Sequence, residues 1–231
     1  MIRARQVAFV VSGDESVRSE VQCVLVAHGV QAIAFESAAA YMAWAKPDSP
    51  ACIILDVSLP DMCGLELQQQ LAATCAPVLF VTRCADIAFT VRAIKAGALD
   101  FLTLPFAPET LMSVVRSALA LDAANRMTRE RMTGLRQRFE RLTPRERQVL
   151  QSVVSGRLNK QVAVELGISD ITVQVHRRRV MRKMGAACFA DLVRIAGTLR
   201  IPLGGGRQSE NAMSGAARLA PRQGGIPCEQ R

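Results

Sequence analysis

The sequence predicts an open, doubly wound α/β sheet of five parallel strands followed by a small all-α domain of four helices. Three observations carry that prediction. Short apolar runs alternate with helix-like segments as far as residue 121. A punctuated series of helix starts and stops then runs from residue 142 to residue 199. Charge is also split: residues 1–120 carry 8 Lys/Arg against 11 Asp/Glu, a net −3, whereas residues 121–231 carry 21 against 9, a net +12. A chain of 231 residues makes one or two domains of ordinary size. The acidic front and basic back favour two, with the second facing a polyanion rather than only carrying a solvated basic surface.

In the first domain, residues 1–121, the buried strands are expected at Val7–Val11, Ile33–Phe35, Cys52–Leu55, Val78–Val81 and Phe101–Leu102. The helices between them are expected near Ser16–His28, Ala38–Trp44, Leu65–Ala73, Ile87–Ala96 and Pro108–Leu121. Gly29 and Gly97 stand where helices stop. Five such βα units imply a parallel sheet covered on both faces, with functional groups at the carboxyl ends of the strands. Residues 122–141 are rich in Arg and Glu, with Leu135, Phe139 and Leu142 at helical spacing. They read either as an amphipathic helix or as a solvated connector. Residues 202–231 are rich in Gly, Pro, Ser and Arg without an apolar period, the composition of a disordered tail.

In the second domain, residues 142–201, Thr143-Pro144-Arg145-Glu146 is a helix start. Thr143 can cap, Pro144 suits the first helical position, and Glu146 can reach back to the cap. Gly156 ends that helix, Asn159–Leu166 forms a second closed by Gly167, and Ser169 caps a third that runs to about Met184. At 100° per residue, Val173, Val180 and Met184 share one face of this third helix. Gln174, Val175, Arg178 and Arg182 share the opposite face, with Thr172, Arg179 and Lys183 on a flank. Such a polar and basic face, on a helix after a tight turn, suits the major groove of DNA. Gln can pair with adenine, Arg with guanine, and the Val175 methyls can meet a thymine methyl. Thr172, Arg179, Lys183, Lys160 and the helix start at Ser169 are expected to hold phosphates.

The segments LTPRERQVL, NKQVAVELGIS, TVQVHRRRVMRKM and DLVRIA resemble the LuxR-type helix-turn-helix of FixJ/NarL-like response regulators from Leu142 to Leu199. That resemblance implies a double-stranded DNA partner. Gln174 departs from the Lys usual in the family, which bears on base preference. The family pairs its last helix with a second subunit. Here the matching segment is Phe189–Leu199, and Leu192, Ile195, Ala196 and Leu199 make its apolar stripe. A homodimer on an inverted repeat is therefore expected, although the same stripe can cap the domain's own core.

The segments IILDVSLPDMCGLEL, VLFVTR and DFLTLPF resemble a receiver domain of two-component systems, with a CheY-like fold, over residues 6–121. The resemblance implies that Asp56 accepts a phosphoryl group, that Thr82 moves toward it and that Phe101 swings inward as the switch aromatic. A histidine kinase or another protein is the implied partner. Two departures matter. The family ends its first strand in two adjacent acids that hold Mg²⁺, where this chain has Ser12 and Gly13; Asp14 and Glu15 follow at later loop positions. The family also places Lys before the proline of the last loop, where this chain has Leu104. Phosphoryl transfer rests on positioning and on neutralising charge at the transferring oxygens. Mg²⁺ binding is thus expected to be weak or absent, with Asp56 and the Ser58 carbonyl as remaining ligands, and phosphorylation inefficient. Two alternatives stand: Asp14 shifts inward and rescues the metal, or Asp56 is simply a carboxylate bonded to Ser12 or Thr82.

The expected function is a sequence-specific transcription regulator acting without efficient phosphorylation. The alternatives are a conventional regulator driven by a histidine kinase, or an interaction module that bridges other regulators. An enzyme is not expected: the chain has only two histidines, His28 and His176, and neither pairs with a nucleophile in the sequence. Cys52, Cys63 and Cys84 lie near the pocket, where a redox sensor is conceivable, but free cysteine is more often a small buried hydrophobe. Seven cysteines without regular spacing make no disulfide framework. No run approaches the ~18–20 apolar residues of a membrane span, and Val7–Val11 is too short for a secretory signal. The cytoplasm is the expected compartment.

Overall fold

The computed structural model describes residues 6–71, 76–83 and 86–202. The chain forms two compact units that divide between Gly134 and Leu135. In the first, five strands alternate with helices: β1 (Val7–Val11), α1 (Glu15–Ala27), β2 (Gln31–Phe35), α2 (Ala38–Ala43), β3 (Ala51–Asp56), α3 (Gly64–Leu71), β4 (Val78–Thr82), α4 (Ile87–Lys95) and β5 (Asp100–Thr103). The sheet is wholly parallel in the order β2-β1-β3-β4-β5. The doubly wound reading of the sequence therefore holds. The strands pack on both faces, as their unbroken apolar runs require. Val7, Phe9, Val11, Ile53, Leu55 and Phe80 face one core; Ala8, Val10, Cys52, Ile54, Leu79 and Val81 face the other.

The element bounds differ from the sequence pattern in instructive places. β2 begins at Gln31, two residues before the apolar run, because pairing with β1 starts at Val7↔Gln31. The helix expected over Leu65–Ala73 starts at Gly64, and residues 72–75 lie outside the described part. The largest difference is α5, a helix of 33 residues from Pro108 to Glu140 that takes in most of the stretch 122–141. The residues between are mainly Ala, Arg, Met and Glu, which favour helix. A buried carboxylate also anchors it. Asp122, 1% exposed, accepts bonds from the Ala51 amide (2.9 Å), Arg126 Nε (2.7 Å) and Arg129 Nη2 (3.2 Å). The tail expected from residue 202 lies outside the described residues from 203 onward.

The second unit adds to the end of α5 four helices: α6 (Pro144–Val154), α7 (Asn159–Leu166), α8 (Asp170–Met184) and α9 (Phe189–Thr198). Its core gathers Leu135, Leu142, Val149, Val153, Val162, Val173, Val180, Met184 and Leu192. The start of α6 is a complete capping box. Thr143 Oγ1 accepts from the Glu146 amide (3.2 Å), and Glu146 Oε2 accepts from the Thr143 amide (2.8 Å). Ser169 caps α8 by accepting from the Thr172 amide at 3.2 Å. Among the described residues, no helix is long and apolar enough to cross a membrane.

Candidate functional site

In the first unit, the carboxyl ends of β1, β3 and β4 bring Ser12, Asp56 and Thr82 together. Val11 registers with Leu55, and Asp56 registers with Val81, so the residues that follow lie side by side. Asp56 ends β3 and is half-buried. The loop after it folds back because Gly64 has no side chain: a Cβ there would stand 2.3 Å from the Asp56 carbonyl oxygen. The Gly64 amide instead donates to Val57 O at 2.8 Å. This support for Asp56 was missed in the sequence, where the only signal was a glycine closing DMCG.

Ser12 is fully buried, and its hydroxyl donates to Asp56 Oδ2 at 2.6 Å. The Ser58 amide lies 3.4 Å from Asp56 Oδ1. One of the alternatives read from the sequence, a carboxylate bonded to Ser12, is thus the arrangement found. Gly13 faces Pro60, whose Cδ would lie 3.1 Å from an added Cβ. Asp14 turns away from Asp56. It caps α1, accepting from the Ser16 amide (2.8 Å) and hydroxyl (2.6 Å), and it pairs with Arg83 Nε at 3.1 Å. The Ser16 hydroxyl and amide, with Arg83, hold its carboxyl down at about 2. The inward shift of Asp14 is not the arrangement observed, because its helix-capping and Arg83 contacts satisfy it elsewhere.

Thr82 is buried at the end of β4, and its carbonyl accepts from the Leu104 amide at 2.8 Å. Leu104 packs its side chain against the apolar face that includes Val81 and Leu111. Phe101 already lies against the other face, 6.3 Å from each of Phe80 and Phe89. Cys52 is buried, and burial, helped by the Asp122 charge, pushes its thiol up to about 12, far from a reactive thiolate. Cys63 is exposed, and Cys84 lies outside the described residues.

In the second unit, α8 buries Val173, Val180 and Met184 and exposes Gln174, Val175, Arg178, Arg179 and Arg182. Lys160 is exposed on α7. Ser169 and Thr172 share a hydroxyl–hydroxyl bond of 2.8 Å at the start of α8. Lys183 stands differently from the expectation, and Ile171 joins the outer face. Lys183 is not a free phosphate contact: its ammonium donates to the buried Glu146 carboxylate at 2.6 Å and to Arg141 O at 3.2 Å. A helical wheel gives a residue's direction but not the carboxylate that the packing of α6 sets beside it. Ile171, a residue without a role in the sequence pattern, is 74% exposed one turn before Gln174 and Val175. Its placement on the outer face of α8 adds a second apolar side chain beside Val175 to the basic ones.

Arg177 braces the same helix from behind. It donates to Asn159 Oδ1 at 3.2 Å and lies 4.6 Å above the Phe189 ring, tying α7, α8 and α9 together. On α9 the expected dimer stripe needs correction. Leu192, Ile195 and Ala196 are buried in the unit's own core and Leu199 is half-buried against it. Their apolar spacing is that of the inward face, which α6 and α8 cover. The exposed residues of α9 are instead Ala190, Val193, Arg194 and Gly197 among others.

A receiver-type sheet with an aspartate at the end of its third strand, followed by a capped helix-turn-helix with a basic outward face, defines a DNA-binding response regulator. Residues 8–116 match the response regulator receiver domain, and residues 140–196 match the bacterial regulatory proteins of the luxR family. Nodulation protein W of Bradyrhizobium diazoefficiens is 40% identical over 199 residues, 85% of this chain and 88% of that protein. The transcriptional regulatory protein FixJ of Azorhizobium caulinodans is 38% identical over 189 residues, 81% of this chain and 90% of that protein. The solved response regulator StyR is 40% identical with a TM-score of 0.76, covering 84% of this chain and 99% of that one. This chain belongs to the FixJ-like response regulators, transcription regulators that join a receiver domain to a LuxR-type DNA-binding domain.

Proposed function

We propose that this regulator binds DNA without efficient phosphorylation of Asp56, in the compartment that holds its DNA. The observation that carries the reading is the 2.6 Å bond from the buried Ser12 hydroxyl to Asp56 Oδ2. Ser12 stands where a metal-holding acid would be, and it occupies the acceptor oxygen itself. Asp14 is committed to Ser16 and Arg83, and Leu104, packed into the apolar core with Val81 and Leu111, supplies no amine for the phosphoryl oxygens. Mg²⁺ wants near-octahedral oxygen ligation, with one or two carboxylates beside phosphate and water. Here the acid pair is replaced by Ser12 and Gly13, and one oxygen of Asp56 is already taken by the Ser12 hydroxyl, a poor set of ligands. Without the acid pair and the amine, two of the groups that would neutralise charge at a transferring phosphoryl group are missing. The nearby Arg18 and Arg83 guanidinium groups are engaged by the Ser12 carbonyl and by Asp14. Mg²⁺ is accordingly held weakly or not at all.

The receiver domain then serves self-association or partner binding. Ile87, Val91 and Ile94 make an exposed apolar stripe along α4, 45–82% exposed, which supports a pairing role. In the DNA-binding unit, Ala190, Val193 and Gly197 replace the buried stripe as the surface of α9 open to a second copy. Two copies related by a two-fold axis read an inverted repeat. Gln174, Val175, Arg178 and Arg182 face the bases, and Lys160, Ser169, Thr172 and Arg179 the phosphates.

Selection of genomic fragments by the purified, phosphate-free protein in about 0.15 M salt tests this reading, because that salt suppresses purely electrostatic binding. A distinct inverted repeat is expected. Recovery of random fragments alone, converted to a distinct repeat by acetyl phosphate, would return phosphorylation by a histidine kinase to the centre of the mechanism.

A further inference from the structure

We propose that Asp170 fixes the side-chain amide of Gln174 so that α8 reads adenine. This rests on the DNA-binding role of α8 and adds what determines its base preference. Asp170 is the first residue of α8, and Gln174 follows four residues later on the same face. Gln174 Nε2 donates to Asp170 Oδ2 at 3.1 Å. A carboxylate only accepts, so the amide cannot turn over without setting two oxygens against each other. Capping by Ser169 fixes the turn that carries Asp170, and the positive end of the helix favours its charge.

The consequence is a defined pattern at the tip of the side chain. Gln174 keeps Oε1 as an acceptor and a second N–H as a donor. In the major groove only adenine answers both, with its N6 amine as donor and N7 as acceptor. Guanine offers two acceptors, cytosine an amine alone, and thymine an acceptor with a methyl group. Ile171 and Val175, 74% and 39% exposed, flank Gln174 on this face and suit thymine methyls beside it. Asp170 touches no base in this scheme; it is a positioning residue that acts through Gln174.

The test is selection of randomised duplexes by the full chain, its Asp170→Asn and Gln174→Ala variants, each with and without acetyl phosphate and Mg²⁺. Asparagine accepts and donates, so Asp170→Asn keeps the size but lets the amide turn. The unaltered chain is expected to prefer adenine over guanine about tenfold at one position of each half-site, the scale of a good bidentate contact. Asp170→Asn is expected to reduce that ratio to about two- to threefold, with the preference at other positions unchanged and thermal unfolding lowered by no more than a few degrees through the lost charge at the helix start. Gln174→Ala is expected to remove the preference. A merely structural Asp170 weakens every position alike, and a merely electrostatic one raises affinity uniformly. Either result, or adenine preference surviving in Gln174→Ala, overturns the proposal. Enrichment only in the acetyl phosphate arm overturns the phosphate-free reading and leaves the base ratio readable. No enrichment in either arm overturns both.

Discussion

Replacing Lys183 by methionine tests whether this residue supports the fold or contacts DNA. Lys183 Nζ stands 2.6 Å from Glu146 Oε2, whose side chain is 3% exposed, while the Lys183 side chain is 31% exposed. At that separation the attraction is ~6 kcal/mol for an effective dielectric of ~20, much of it offset by desolvation. Removing one partner of a buried pair costs ~3–5 kcal/mol. The partial exposure of Lys183 lets water reach its position, so a cost at or just below the lower end, ~2–3 kcal/mol, is expected for Lys183→Met. Glu146→Gln should cost less, ~1 kcal/mol, because the capping bond to Thr143 survives and the freed ammonium can hydrate. The double variant should be more stable than Lys183→Met alone, since no carboxylate is left stranded. Urea unfolding followed by circular dichroism measures this. The single tryptophan, Trp44, lies in the first unit and its fluorescence serves as the internal control. A Lys183→Met variant of unchanged stability, with the slope of log affinity against log salt reduced by about one, would refute the reasoning and restore Lys183 as a phosphate contact.

Four further outcomes are expected. Arg178→Ala should weaken a specific site by about 1–3 kcal/mol and relax one base position, whereas Lys160→Ala should weaken all sequences alike; titrations at several salt concentrations separate the two. Gly64→Ala should destabilise the first unit by about 1–3 kcal/mol through the clash with the Asp56 carbonyl, read by Trp44 fluorescence in urea. Burial alone would raise the Glu146 carboxyl, but Lys183 and the Thr143 amide outweigh it and hold it below its ordinary value. The pair's contribution is then fully present above the ordinary carboxylate pKa of about 4.3 and lost as pH falls through the depressed value. Acid unfolding curves of the chain and of Glu146→Gln should converge at low pH. Finally, the combined Ser12→Asp, Gly13→Asp and Leu104→Lys variant should gain acetyl phosphate labelling at Asp56, by restoring two acids and an amine; unchanged labelling would count against the charge argument.

The sequence carried the architecture wherever a local rule decides it. Strand runs such as Val7–Val11 and Val78–Val81, the Thr143–Glu146 capping box and the Ser169 cap need only neighbours along the chain to be recognised. Asp56, Thr82 and Ser12 were legible as a pocket because parallel strands bring their carboxyl ends together. What escaped depends on pairs distant in sequence. The Lys183–Glu146 bond joins residues 37 apart, and Asp122 meets Ala51 across 71. The apolar spacing of Leu192, Ile195 and Ala196 marks a buried stripe without saying whether the cover is another helix of the same unit or a second chain. Ile171 carries no pattern signal of its own, since only the packing of α8 shows that this apolar side chain lies on the outer face. The bond between Ser12 and Asp56 lay between these cases, open as one of two possibilities until the side chains were in place.

Asp56 is expected to be a poor phosphoacceptor in this chain. Intact-mass spectrometry of the full protein after incubation with acetyl phosphate and Mg²⁺ measures it directly. Largely unmodified protein is predicted, in the same preparation that selects a distinct DNA repeat. Near-stoichiometric addition of one phosphoryl group, lost on substitution of Asp56→Asn, would contradict it.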